Sequence, residues 1–209
     1  MENLADKRAL RTIRKLNAIR HKQAQKIDIL CNDMVLASKE VVEQLRLLTY
    51  TVDFYESITG QIDMTALLDR AARQVREFVK DSNVAIFLTN SRGFELHMAD
   101  DSPIEVDGGK IESYFTEEVV NEICRSNKIS SLDDMCNMGL QGNPNILNNI
   151  SAAAVPVGRF SEPVGFILIC RNADKKLTAG ELDKVATITP GLRNAITACQ
   201  SMMPEIVGD

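Results

Sequence analysis

The chain has 209 residues, of which 44% are hydrophobic and 25% are charged, with six prolines and eleven glycines. These proportions are typical of a globular protein and exclude a wholly disordered or collagen-like chain. The longest apolar run, at residues 164–170, is far shorter than the roughly 20 residues that span a bilayer. The first residues also lack the apolar stretch of a signal peptide.

Five cysteines are scattered along the sequence, with no C-x-x-C pair and only two distant histidines. A structural zinc site needs closer ligand spacing, so we expect no bound metal. Because nothing indicates export, we expect reduced thiols and a soluble, cytoplasmic protein.

The net charge of −5 is unevenly distributed. Residues 1–26 contain eight basic and two acidic side chains, whereas the remaining residues contain 16 basic and 27 acidic ones. Such a split indicates an N-terminal segment whose role differs from that of the acidic body.

From about residue 5 to residue 58 the sequence has no proline or glycine, which predicts a long helix or a helical hairpin. Ile27, Met34, Val41 and Leu48 recur at seven-residue intervals, as in a coiled coil or a long helix pair. We therefore predict that these four residues form the seam of a homodimer.

The basic part of this helix lacks aromatic side chains for base stacking or membrane anchoring, so nucleic acid and membrane are the weaker alternatives. We expect it to bind a partner helix or the acidic surface of another signalling protein. The predicted contact residues are Arg11, Arg14, Lys15 and Lys22. The alternative is a solvated end of the coiled coil.

Gly60 is expected to end the long helix, and Asp63 to cap a helix over residues 63–80. Two strands are predicted at residues 84–89 and 94–98, joined by a tight turn. The first strand is apolar at nearly every position, so we expect it to be covered on both faces.

The second half begins with an acidic loop and a predicted helix over residues 111–126, followed by a short strand. Residues 135–149 are rich in asparagine and glycine and predict a long irregular loop of the kind that often binds ligands. A hairpin with strands at residues 151–157 and 164–170 follows. Thr178 and Glu181 predict the capping box of a last helix, which Pro190 should bend before it ends near Cys199.

Three stretches of this sequence, in this order, resemble the GAF domain family. Residues 66–72 with 84–88 are similar to the opening helix and first strand of that family. Residues 151–157 with 164–168 are similar to its late hairpin, including Pro156 and Gly165. The sequence Leu177-Thr178-Ala179-Gly180-Glu181-Leu182 resembles the entry to its closing helix.

The resemblance implies an α+β domain in which helices flank an antiparallel sheet of five or six strands and a ligand pocket lies beneath loops. We expect a long coiled-coil helix at residues 1–60, the GAF-like domain at residues 61–200 and a tail at residues 201–209. The predicted ligand-binding residues are Phe87, Tyr114, Cys136 and Phe166.

The sequence lacks the signatures of the cyclic-nucleotide-binding and bilin-binding members, so the ligand or cofactor stays unidentified. We interpret the chain as a signalling sensor or adaptor that acts through a dimeric helix. One alternative is a ligand-free interaction scaffold. The other is a redox enzyme that uses Cys124 or Cys136, although no catalytic motif is present.

Overall fold

The computed structural model describes residues 4–90, 93–98, 105–106, 109–158 and 164–202. Contacts divide the chain into two units, Met1–Thr49 and Tyr50–Asp209. The expected tail from residue 203 onward lies outside the described residues, as does most of the expected acidic loop.

The first unit is helical and belongs to α1, Leu4–Ile58, a single α-helix of 55 residues. A continuous helix is therefore observed in place of a hairpin. Every side chain from residue 7 to residue 46 is exposed, and so is Leu48, so all four predicted seam residues are exposed. None of the helices in the described part of the chain is long and apolar enough to cross a membrane.

The described residues of the second unit contain seven strands, which are β1 (Asn83–Asn90), β2 (Gly93–Met98), β3 (Glu105–Val106), β4 (Gly109–Lys110), β5 (Ser130–Ser131), β6 (Ile150–Val157) and β7 (Gly165–Asn172). Five of them form one antiparallel sheet in the order β2-β1-β7-β6-β5, and β3 pairs with β4 separately. The hairpins β1–β2 and β6–β7 meet where β1 pairs with β7.

The helices of this unit are α2 (Met64–Phe78), α3 (Glu117–Ser126), α4 (Leu132–Asn137), α5 (Pro144–Asn148) and α6 (Ala179–Met202). The end of α1, α2 and α6 cover one face of the sheet, and α3, α4 and α5 contribute to the core on the other face. This arrangement confirms the predicted α+β class.

Strand β1 is covered on both faces, as its continuous apolar sequence predicted. Val84 and Ile86 belong to the core beneath α2 and α6, whereas Ala85 and Phe87 belong to the core beneath α3. Successive side chains of a strand point to opposite faces, so an unbroken apolar run supplies both cores at once.

Two predicted helix caps are confirmed. The Asp63 carboxylate accepts a hydrogen bond from the Ala66 backbone N–H at 3.0 Å, at the start of α2. At the start of α6, Glu181 Oε2 accepts from the Thr178 N–H at 2.9 Å, and Thr178 Oγ1 accepts from the Glu181 N–H at 3.3 Å. Both pairs satisfy backbone donors that the first helical turn leaves free.

Two predictions in the second half were wrong. Residues 111–126 do not form one helix, because a 3₁₀ turn at Ile111–Tyr114 precedes α3 and Thr116 caps a new helix start. Residues 135–149 are not an irregular loop, since they contain the end of α4 and all of α5. These helices have six and five residues, which is too short for a hydrophobic period to develop.

Helix α6 continues through Pro190 to Met202, beyond the predicted end near Cys199. Pro190 has no N–H to donate to the Ala186 carbonyl. That carbonyl accepts instead from the Thr189 hydroxyl at 3.0 Å. The Ala186 carbonyl, which lacks its usual helical donor, therefore still accepts a hydrogen bond within the helix.

Candidate functional site

A cleft of about 480 Å³ opens between α4, α5, the first residues of β6 and the loop that joins β7 to α6. This volume lies within the range of small-molecule sites, about 300–1,000 Å³. Its lining residues are Ser131, Leu132, Asp133, Cys136, Pro144, Leu147, Asn148, Ile150, Ser151, Ala152, Ala173 and Lys176.

The two short helices hold one wall of the cleft in place through their caps. Asp134 accepts hydrogen bonds from the Ser131 N–H at 2.9 Å and from the Ser131 hydroxyl at 2.6 Å, which completes a capping box on α4. These bonds lower the pKa of the Asp134 carboxyl. On α5, the Asn143 side chain accepts from the Asn145 N–H at 3.0 Å, with Pro144 in the first turn.

The opposite wall is the loop from β7 to α6, and three hydrogen bonds to backbone atoms of this loop hold it in place. The Ala173 N–H donates to the Asn149 carbonyl at 2.9 Å, and the Leu177 N–H donates to Ser151 Oγ at 3.0 Å. The Lys176 carbonyl accepts from Arg171 Nη2 at 2.5 Å. The loop is therefore tied to the neighbouring strands at both of its ends.

Arg171 also links this loop to the first turn of α6. Its Nη1 and Nη2 donate to the two Glu181 carboxylate oxygens at 3.1 and 2.8 Å, and its side chain is only 9% exposed. Burial alone would raise the pKa of the Glu181 carboxyl, but bonds from Arg171 and Thr178 lower it below its usual value. A bidentate ion pair of this kind, in which the arginine is largely buried, has a well-defined geometry.

The surface of the cleft combines an apolar floor with a charged rim. Ile150 and Ala152 on β6 are buried, and Leu132 is half-buried. Asp133 and Lys176 are exposed at the rim. Chemically, the cleft fits a small ligand that has one apolar part and at least one polar or charged group.

The four predicted ligand-binding residues do not lie together in the structure. Cys136 lines the cleft. Phe87 and Phe166 are fully buried and stack with ring centroids 4.6 Å apart, with Phe115 also in contact. Tyr114 is half-buried beside Gly142. Ligand binding by these four residues stays a prediction.

All five cysteines are free thiols. Burial raises the pKa of Cys124 to about 11. Burial and the nearby Asp133 raise the pKa of Cys136. A nucleophilic cysteine needs a lowered pKa so that the thiolate is populated at neutral pH, and both candidate cysteines show the opposite shift.

A polar contact that the sequence analysis missed joins α2 to β2. His97 Nε2 lies 3.0 Å from Asp69 Oδ1, and Arg73 contacts the other carboxylate oxygen at 3.4 Å. No pattern in the sequence connects these positions, because they meet only through packing of the helix on the sheet. Within the described residues, no three His, Cys, Asp or Glu side chains are grouped so that they could hold a metal ion.

On the first unit, the predicted seam residues Ile27, Met34, Val41 and Leu48 are between 58% and 67% exposed. The predicted partner contacts Arg11, Arg14, Lys15 and Lys22 are exposed on the same helix. Their roles in dimerisation and partner binding stay predictions.

No protein-family model and no curated protein matches this sequence. Solved structures do share the fold. The GAF domain of an Acinetobacter phosphoenolpyruvate-protein phosphotransferase has a TM-score of 0.57 and 16% identity, over 76% of this chain and 96% of that one. The corresponding GAF domain from Coxiella burnetii has a TM-score of 0.53 and 11% identity, over 75% of this chain and 96% of that one.

A third structure, residues 122 to 287 of a methyl-accepting chemotaxis protein, has a TM-score of 0.52 and 14% identity, over 71% of this chain and 98% of that one. At such low identities the comparisons establish the fold, and function has to be argued from the site itself.

Proposed function

We propose that this chain, which contains a GAF-like domain, is a signalling adaptor that binds a small ligand in the cleft beside α4 and α5. The observation that supports this proposal is that the loop forming one wall of the cleft is the loop that precedes α6. Lys176 lines the cleft, and its carbonyl is bonded to Arg171, which in turn holds Glu181 in the first turn of α6.

This connection gives ligand binding a physical route to the helices. A ligand that contacts Lys176 or Ser151 interacts with the loop whose hydrogen bonds position the start of α6. If this loop has two arrangements, the ligand shifts the equilibrium between them by the difference between its binding free energies for the two. The sensor function thus depends on a ligand that discriminates between these arrangements.

The adaptor part of the proposal is self-association through α1. Ile27, Met34, Val41 and Leu48 expose apolar side chains at a heptad spacing that a second helix would cover. Replacing both Met34 and Val41 with aspartate should convert the dimer to a monomer in light scattering. Leu36→Asp is the matched control, because Leu36 is equally apolar and exposed but lies outside this heptad row. An unchanged mass for the double variant would contradict the dimer.

Native mass spectrometry of the freshly purified protein, followed by its denatured mass, tests ligand binding. We expect additional mass that disappears on denaturation. Lys176→Glu should remove that mass, whereas Lys175→Glu should retain it, because Lys175 does not line the cleft and instead contacts Asp81 at 2.6 Å. Equal retention by both variants would place the ligand elsewhere.

The second candidate function is a scaffold that binds no small molecule. The observation in its favour is the cluster of Phe87, Phe115 and Phe166, which fills the core beneath α3 with side chains. A dimer without additional mass would support this candidate. The raised pKa values of Cys124 and Cys136 do not favour the redox enzyme.

A further inference from the structure

The exposed apolar row on α1 is longer than the predicted seam. Steps of alternately four and three residues run from Ile27 through Cys31, Met34, Ser38, Val41 and Leu45 to Leu48. The same alternation continues towards the N-terminus through Ala24, Arg20, Asn17, Ile13 and Leu10. This spacing is that of the two core positions of a coiled coil. The large apolar members of the row are between 53% and 67% exposed.

The two halves of this row have opposite charge. Residues 7–26 contain eight basic and no acidic side chains, whereas residues 27–48 contain four acidic and two basic ones. Two parallel helices in register would place the eight cations of one copy beside the eight cations of the other. Two antiparallel helices would place each basic half beside a half of net negative charge.

The side chains along the row also fit the antiparallel orientation. In a parallel pair, Arg20 would face a second Arg20 within the core. In an antiparallel pair whose opposing residue numbers add to about 58, Arg20 faces Ser38, whose hydroxyl can accept its hydrogen bond. The same register sets the small Ala24 against the large Met34, so that the core layers alternate in size.

We propose that a second copy of this chain covers the row with α1 antiparallel, the basic half of each copy lying on the acidic half of the other. The inference rests on the proposed self-association and specifies its geometry. Of the four predicted partner contacts, Arg14 directly follows Ile13 of the row and flanks the acidic half of the partner helix, whereas Arg11, Lys15 and Lys22 lie on the side of α1 that faces away from it. In this register Leu10 of one copy lies opposite Leu48 of the other.

Disulfide trapping in the full chain tests the orientation. The background carries Cys31→Ser and Cys136→Ser, which remove the two exposed thiols. Leu10→Cys and Leu48→Cys are then introduced separately, and the two proteins are mixed and oxidised. We expect the 10–48 heterodisulfide to dominate, with little homodisulfide from either variant alone. Leu36→Cys, which lies outside the row, is the control and should not cross-link.

A dominant homodisulfide of Leu48→Cys would overturn the orientation, since it requires parallel helices. A dimeric mass without any cross-link would overturn the register. A monomeric mass for the unsubstituted chain would overturn the proposed self-association itself, which separates that failure from the other two.

The salt dependence of the dimer dissociation constant is an independent test, because the antiparallel and parallel dimers predict changes in opposite directions. In the antiparallel dimer, raising NaCl from about 0.05 to about 0.5 M screens attraction, and we expect the dimer dissociation constant to rise about tenfold. In a parallel dimer the same salt would relieve repulsion between the basic halves. A dissociation constant that falls with salt would therefore contradict the proposal.

Discussion

Gly165 is the position at which a single added carbon should cost the domain most. It lies on β7 opposite Leu88 of β1, with φ of +154°. A Cβ atom there would lie 1.8 Å from the Phe87 carbonyl oxygen. Because the obstacle is backbone of a paired strand, no side-chain rotation can relieve the contact.

Replacing Gly165 with alanine would force β1 and β7 apart by more than an ångström. Overpacking of a core typically costs about 1–3 kcal/mol, and an unfavourable backbone conformation adds about 1–2 kcal/mol. We therefore expect a loss of about 3–4 kcal/mol. With an m-value of about 2 kcal/mol per M of urea, the unfolding midpoint falls by about 2 M.

Urea unfolding followed by circular dichroism, at one protein concentration for all variants, measures this loss. Gly180→Ala is the matched control, because no atom lies within 4 Å of its Cβ and alanine is favoured in a helix by about 0.5–1 kcal/mol. Its midpoint should be unchanged or slightly higher. A Gly165→Ala midpoint within about 0.5 M of the parent would refute the reasoning.

Two further predictions concern titrating groups. Glu181 has a lower pKa in the folded protein than in the unfolded chain, so its ionised form stabilises the fold at pH values above its unfolded pKa of about 4.3. That stability is lost as pH falls through the lower folded pKa. Glu181→Gln should therefore melt below the parent at pH 7, and the gap in Tm should narrow as pH falls below about 4; a constant gap would contradict this. In native protein at pH 7.5, iodoacetamide should label the exposed Cys136, whereas Cys31 lies in the α1 row that the proposed dimer covers, and urea should add the buried Cys124, Cys170 and Cys199. Native labelling of Cys124 at a rate similar to Cys136 would show that its burial is wrong.

The parts of the fold that could be predicted are those with long periodic signals or specific caps. Leu67, Leu68, Ala71, Ala72 and Val75 form the buried face of α2, and their helical spacing can be read from the sequence. The acidic residue at 181, three positions after Thr178, predicted the start of α6. Such local signals depend on only a few neighbouring residues, so they are legible without tertiary information.

The cleft could not be predicted in the same way. Its walls depend on α4 and α5, whose starts are marked only by Ser131 with Asp134 and by Asn143 with Pro144. The second of these caps lies within residues 135–149, whose asparagine and glycine content predicts a loop, and the first lies just before that segment. The face to which Phe87 and Phe166 point was equally hidden, because an apolar strand carries no alternation that distinguishes its two sides.

The order of the sheet has a consequence for how this protein can change over evolutionary time. The two hairpins β1–β2 and β6–β7 are each local in the chain, and the sheet forms when β1 pairs with β7. The residues between β2 and β6, which include both short helices of the cleft, form an excursion between these hairpins. Doubling the length of a flexible excursion costs only about 0.6 kcal/mol. Insertions and replacements there can therefore alter the shape and lining of the cleft while the pairing of β1 with β7 is inherited unchanged.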